Sequence, residues 1–262
     1  MSTGAAAITL ARVDKQFGGA VQVLAGLSLQ LAGAEFVTLL GPSGCGKSTV
    51  LRLLAALEAP SGGRVVAPAW QPGGQGRTAF VFQEHTLMPW ASVFDNVWLP
   101  LRLQGRSRAQ ATPAVQQVLA RVGLAEVAAA YPAQLSGGMK MRASIARALV
   151  SQPQLLLMDE PFAALDDITR QVLNADLLRW WQASGTLAAL FVTHSVAEAV
   201  FLSQRVLVMA AGPGRVVAEQ RVDEPYPRGP DFRHSARYAD ACRRLSQALL
   251  DAHGGHTAAD RP

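Results

Sequence analysis

One octapeptide restricts this chain more than any other feature. Gly41-Pro42-Ser43-Gly44-Cys45-Gly46-Lys47-Ser48 fits the pattern G-x-x-x-x-G-K-[S/T]. Before it, Phe36 to Leu40 is a continuous apolar run, as expected of a strand buried on both faces. After it, Val50, Leu51, Leu54 and Leu57 recur at helical spacing within Lys47 to Glu58. Glycines let such a loop turn tightly, so its N–H groups face inward and cradle phosphate oxygens. The helix starting near Gly46 adds the positive end of its dipole. In this reading Lys47 reaches the β- and γ-phosphates, Ser48 ligates Mg²⁺ and Thr49 bonds a phosphate oxygen. The competing reading, a plain glycine-rich turn, is disfavoured by the strand before it and the helix after it.

The rest of the chain supplies a suitable frame. Strand patterns recur at Ile8 to Val13, Leu27 to Leu31, Thr78 to Phe82, Gln154 to Met158, Leu187 to Val192 and Arg205 to Met209. Helical patterns alternate with the later ones, at Thr169 to Ala183 and Val196 to Leu202. This order predicts an α/β parallel sheet. A mainly helical insertion, about 90–150, interrupts it, with breaks expected at Pro100, Gly105 and Pro113 and a helix from near Ser136 to Val150. The domain so defined spans 1–220, and 221–262, rich in Pro, Arg, Asp and His, reads as a peripheral tail.

Composition excludes several classes. With half its residues hydrophobic, the 262-residue chain is not a disordered one. Two distant cysteines, Cys45 and Cys242, suggest neither a disulfide framework nor a zinc site and fit a reducing cytosol. Met1 to Thr9 lacks signal-peptide character, and no apolar run reaches the roughly 18 residues of a membrane span. The net charge of +5 suggests an anionic partner without saying which.

A phosphate loop alone leaves kinases, helicases, GTPases and transport ATPases open. Leu155 to Met158 followed by Asp159-Glu160 narrows the choice. The apolar run buries the strand, so both acids emerge at its carboxyl end. Asp159 is expected to hold Mg²⁺ through water, and Glu160 to polarise an attacking water as general base. A solvated turn is the bland alternative for an acid pair.

The discriminating element is Leu135-Ser136-Gly137-Gly138-Met139-Lys140. With the phosphate loop, the acid pair and a later histidine in this order, residues 8 to about 220 resemble the ATPase subunits of ABC transporters. The resemblance implies a P-loop NTPase (RecA-like) core with an N-terminal antiparallel β subdomain and an inserted α-helical subdomain. It also implies that Ser136, Gly137 and Gly138 open a helix whose free N–H groups face the γ-phosphate held by a second copy. Two chains then enclose two ATP molecules head to tail, so one chain holds two half-sites. By the same resemblance Gln83 contacts Mg²⁺ and signals to the membrane subunit, Phe17 stacks on adenine, Asp166 within Ala164-Leu165-Asp166 crosses the dimer interface, and His194 contacts the γ-phosphate. For Phe17 and His194 the plain alternative is a core side chain.

Some positions depart from the family pattern. Met139 and Met141 stand where glutamines are common, Ala163 where glycine is, and Ser195 where aspartate is. None removes a phosphate ligand or the base. Cys45 within the loop predicts inactivation by thiol reagents with protection by ATP. Ser61-Gly62-Gly63 repeats part of the signature but reads as a turn, and His253-Gly-Gly-His256 as a tail rather than a metal site.

The family resemblance separates a transport ATPase from a soluble ATPase acting on nucleic acid. About fifty residues separate Gln83 from Ser136, too few for the coiled-coil arm of nucleic-acid types, so no nucleic-acid partner is expected. Glu84 to Trp90, Val93 to Val97, Trp180-Trp181-Gln182 and Gly212 to Arg215 resemble the nitrate/sulfonate/taurine importer branch. This implies a second ATPase subunit, transmembrane permease subunits and, indirectly, a periplasmic solute-binding protein, at the cytoplasmic face of a bacterial inner membrane. Taurine or an aliphatic sulfonate is the expected solute, with nitrate, cyanate or a thiamine precursor as alternatives. The surplus charge sits on 102–147, where seven basic residues face only Glu126. It reads either as a solvated helical face or as a field near ATP phosphates and anionic lipid.

Overall fold

The protein is described here by a computed structural model covering residues 8–19, 21–74 and 77–257. Alternating side chains build a small sheet first. β1 (Ile8–Phe17) pairs antiparallel with β2 (Val21–Leu31), and on its other edge with β4 (Gly62–Val66). Its inward residues, among them Leu10, Val13, Leu27 and Leu31, are buried with the second core sheet's Val37 and Leu39 in one apolar cluster.

The larger sheet has the order β5-β6-β7-β3-β8-β9. Its strands are β3 (Phe36–Leu40), β5 (Thr78–Val81), β6 (Leu155–Asp159), β7 (Ala188–Thr193), β8 (Arg205–Ala210) and β9 (Arg215–Arg221). All neighbours run parallel except β9, which is antiparallel to β8. β3 and β7 are buried along their whole length, which is why they read as apolar runs without alternation. Helices α5 (Asp167–Gln182) and α6 (Val196–Leu202) connect strands in this sheet, and α1 (Lys47–Leu54) follows β3 and leads to β4. The architecture is the α/β arrangement expected, including the antiparallel subdomain.

The insertion contains α2 (Val93–Leu103), α3 (Arg108–Arg121) and α4 (Gly137–Leu149). Pro100 and Pro113 lie inside α2 and α3 and do not end them; the break falls between the two helices, around Gly105. Ser92 and Ser107 cap the two helices, and Val97, Leu101, Val115 and Leu119 bury one face of each, so packing outweighs the lost backbone bond at each proline. α4 is tied to α5 by ion pairing of Arg142 with Asp176, a carboxylate only 2% exposed.

The segment from Arg221 differs from the peripheral tail its composition suggests. α7 (Pro230–Arg233) and α8 (Ala236–Thr257) pack on the core through Phe232, Ala241 and Leu245. Arg228 is 5% exposed and donates to the carbonyls of Val200, Phe201 and Ser203 at 2.8–3.0 Å. It also reaches Val222 and Glu224, so its charge is spent on backbone acceptors, chiefly those orphaned at the end of α6. The side chains of His253 and His256 lie outside the described residues.

Candidate nucleotide site

Strand register assembles the site. Leu40 lies opposite Thr193, and Asp159 opposite Val192. The residues that follow, Gly41, His194 and Glu160, therefore leave one edge of the sheet together. Val81 lies opposite Met158, so Phe82 and Gln83 emerge at the same edge. Binding crevices outside the carboxyl ends of parallel strands follow from this geometry.

Gly46 turns the loop into α1 with φ of 95°, a left-handed conformation that costs an L side chain energy. α1 has no side-chain cap at this end, so its first N–H groups face the loop. Lys47 is 4% exposed, and its Nζ donates to the carbonyls of Gly41 and Pro42, each at 2.8 Å. It lies 3.7 Å from Glu160 Oε1. The ammonium is thus held on the concave side of the loop by acceptors that a phosphate oxygen can replace.

Ser48 Oγ donates to Asp159 Oδ1 at 3.0 Å. Burial pushes the Asp159 carboxyl up, and Glu160 adds to this; the Ser48 bond, Lys47 and Arg52 oppose it. A carboxylate held in that environment gains from a bound cation. Glu160 has φ of 43°, and this turn aims its carboxylate across the strand end. Its Oε2 lies 2.8 Å from His194 Nδ1. When Nδ1 carries the proton and donates, Nε2 is left facing away, on a side chain 59% exposed.

Ser48, Lys47, Asp159, Glu160 and His194 therefore form one connected constellation. The loop's Ser43 and Gly44 are exposed, Pro42, Gly46 and Thr49 half-buried. Gln83 is exposed at the strand edge. Phe17, at the end of β1, is 36% exposed, and Lys15 Nζ sits 4.6 Å from its ring centre. Phe17 is therefore partly exposed at a strand end rather than buried in the core.

A second group stands apart. Ser136 caps α4 by accepting from the Met139 N–H at 3.3 Å, and Asp166 caps α5 by accepting from the Thr169 N–H at 2.9 Å. Hydrogen bonds to its carboxylate hold Asp166 below the usual carboxylate range. The two caps are neighbours: a Cβ on Gly138 would sit 3.0 Å from Thr169, and one on Gly137 3.4 Å from Leu165. None of these contacts involves the phosphate loop, and Ser136 and Gly137 are exposed.

One expectation changes. Cys45 is 1% exposed, and burial raises its thiol pKa, so it is shielded from the reagents that its place in the loop suggests. Trp180 and Trp181 are core residues; Trp181 Nε1 donates to the Leu187 carbonyl at 2.7 Å, and its ring meets Phe36 edge-on. Among the departures from pattern, Ser195 still caps α6 by accepting from the Glu198 N–H at 3.4 Å, the service an aspartate gives. Met141 is buried and Met139 packs against the same core. What sequence reasoning passed over is Glu198 itself, whose only signal is an acid on the apolar side of a short helix.

A parallel sheet with a phosphate loop, an acid pair and a histidine at one edge defines a P-loop nucleoside triphosphatase. A family model described as ABC transporter matches residues 24–163. The taurine import ATP-binding protein of Chromobacterium violaceum is 43% identical over 244 residues, covering 92% of this chain and 89% of that one. The aliphatic sulfonates import ATP-binding protein of Burkholderia ambifaria is 44% identical over 255 residues, covering 97% and 75%. A dimeric ATP-binding cassette solved after hydrolysis, bound to ADP and Pi, superposes with a TM-score of 0.71 at 28% identity, over 83% of this chain and all of that one. The chain belongs to the ABC transporter family. It is an ATP-binding, importer-type ABC ATPase, and its hydrolysis of ATP is coupled to transport.

Proposed function

We propose that this chain is the ATP-hydrolysing subunit of an importer for taurine or an aliphatic sulfonate, acting as a head-to-tail homodimer on the cytoplasmic face of a bacterial inner membrane. The observation that carries the reading is the joining of Lys47, Glu160 and His194 at one strand edge. The solute is supported by likeness to relatives named for taurine and sulfonate import. An ATPase of this kind does not touch the solute, so only ancestry speaks to it.

The chemistry assigned to the chain's own residues is as follows. The backbone N–H groups of 41–46 and the start of α1 bind the phosphates, Lys47 exchanges its carbonyl partners for β- and γ-phosphate oxygens, and Thr49 adds a bond. Phe17 stacks on adenine. Glu160 takes a proton from the attacking water, and His194, oriented by Glu160, turns Nε2 toward the γ-phosphate. Ser136, Gly137 and Gly138 serve the γ-phosphate held by the second copy, and Asp166 lies at that interface. Ser48 and Asp159, with Gln83, are the Mg²⁺ residues. Two oxygen ligands 3.0 Å apart fit a cation that keeps waters and phosphates as its other ligands. No cluster of three or more acidic, His or Cys side chains among the described residues offers a cage of its own. Bound there, Mg²⁺ offsets charge on the phosphates.

Permease subunits dock, in this reading, on the exposed apolar residues beside Gln83: Phe82, Trp90 and Leu103. A solute-binding protein acts through that permease. No helix among the described residues is long and apolar enough to cross a membrane. The test is reconstitution with the co-purified permease and binding protein in vesicles. ATP-driven uptake of taurine or an alkanesulfonate, abolished by Glu160→Gln, is expected. Glu160→Gln should slow hydrolysis by about 10²–10⁴-fold, the usual worth of a general base, with ATP binding retained. A binding protein that retains a different solute refutes the substrate, and near-normal hydrolysis in the variant refutes the base.

A further inference from the structure

The His194 loop rests on a buried polar group that the scheme above does not use. Glu198, in the first turn of α6, is 6% exposed. Its Oε2 accepts from Thr193 Oγ1 at 2.5 Å. Thr193, 1% exposed, accepts in turn from the Ser195 N–H at 2.9 Å. One hydroxyl and one carboxylate therefore bind the residues on both sides of His194 and fold α6 back onto the end of β7. Among the described residues, the exposed ring of His194 is hydrogen-bonded to Glu160 alone.

α5 packs beside α6 and carries two polar residues near Glu198. Asn174 is 1% exposed, and Arg170, four residues earlier on the same helix face, donates to the Leu165 carbonyl at 2.7 Å. Burial pushes the Glu198 carboxyl up, while Thr193, Arg170, His194 and Asn174 favour its charged form. Glu198 Oε1 and Asn174 Oδ1 are buried without a hydrogen-bond partner among the described residues. Such half-satisfied groups cost stability that an apolar pair would not. Packing therefore does not account for a carboxylate here, whereas fixing the backbone of 193–195 does.

We infer that Glu198 is a positioning residue for ATP hydrolysis: through Thr193 it sets the backbone at His194. The inference rests on the role assigned to His194 above. It differs from that role in naming the buried group that aims the histidine through the backbone.

The test is a set of variants assayed for ATP hydrolysis in the assembled transporter. Thr193→Val keeps the shape of a β-branched strand residue and removes the hydroxyl. It should lower kcat about tenfold or more, the cost of a group misplaced by about 1 Å. KM for ATP should stay within about twofold, since the phosphate loop is untouched. Thr193→Ser, which keeps the hydroxyl, and Glu198→Gln, which keeps an acceptor for it, should each recover most of the rate. In a His194→Ala background Thr193→Val should lower single-turnover rate less than about twofold further, because the residue it positions is gone. A near-wild-type kcat for Thr193→Val beside a slow His194→Ala overturns the inference alone. So does a full-sized loss in the His194→Ala background. A wild-type rate for His194→Ala overturns the role of His194 and this inference with it.

Discussion

Two glycines of the phosphate loop make opposite claims on space, and comparing them tests how the loop is built. Gly44 and Gly46 both have positive φ, 78° and 95°. At Gly44 an added Cβ meets nothing within 4 Å. At Gly46 it would lie 2.7 Å from Leu24 Cδ2 and 3.3 Å from the Val23 carbonyl oxygen. Leu24 is fully buried, so its methyl has nowhere to retreat. An alanine in this region of φ costs about 1–2 kcal/mol, partly offset by about 0.4–1 kcal/mol from a stiffer unfolded chain. Gly44→Ala should therefore lose about 1 kcal/mol. Gly46→Ala adds overpacking worth about 1–3 kcal/mol, for a total near 3 kcal/mol. For a chain of this size each kcal/mol moves Tm by about 2–4 °C, so Gly44→Ala should shift it by about 2–4 °C and Gly46→Ala by about 6–12 °C. Thermal and urea unfolding of the nucleotide-free protein measure both. Equal shifts, or a larger one at Gly44, would refute the claim that β2 packs under the start of α1 and dictates glycine there.

Other outcomes follow from the site and the C-terminal segment. Asp159→Asn should stabilise the nucleotide-free protein while abolishing hydrolysis. A carboxyl whose pKa rises on folding costs nothing well below about pH 3.9, and the cost grows as pH rises through that value and is complete above the raised pKa. The gain over wild type in urea unfolding should thus appear at pH 7 and vanish near pH 3; a gain largest in acid would contradict the burial effect. Arg228→Met should lower stability by about 3 kcal/mol or more, since it leaves buried carbonyls at the end of α6 without their donor. An unchanged urea midpoint would mean that the C-terminal segment is not fastened there. Cys45 should react with iodoacetamide at least about tenfold more slowly in the native protein than in urea, because burial both shields it and disfavours the thiolate. Rapid native labelling, followed by peptide mapping, would show an open loop instead.

Much of the central sheet was legible because burial on both faces leaves an unmistakable trace. Phe36 to Leu40 and Leu155 to Met158 carry no polar residue except Thr38, whose hydroxyl is satisfied by Ser203. β9 was not legible: Arg215 to Arg221 is an edge strand with alternate residues only partly buried, so its apolar residues do not alternate with polar ones. α8 did leave a signal, Tyr238, Ala241, Cys242, Leu245 and Leu249 at helical spacing, but the polar residues around it masked the pattern. Pro100 and Pro113 misled in the other direction, because a single missing N–H costs less than the apolar faces of α2 and α3 return on packing.

The octapeptide with its flanking strand and helix determined by itself that this chain binds phosphates, since every part of a phosphate cradle comes from consecutive residues. The order of motifs along the chain did the same for the family. Tertiary structure alone decided which groups act together. Glu160 and His194 are 34 residues apart in sequence and 2.8 Å apart in space, joined because β6 and β7 pair in a register that no local pattern encodes. It also decided that Cys45 is sealed and that Glu198, an unremarked acid in the sequence, lies buried under the histidine loop. Local periodicity records which face of an element is apolar; which faces meet depends on contacts between distant segments, and there the sequence is silent until the chain has folded.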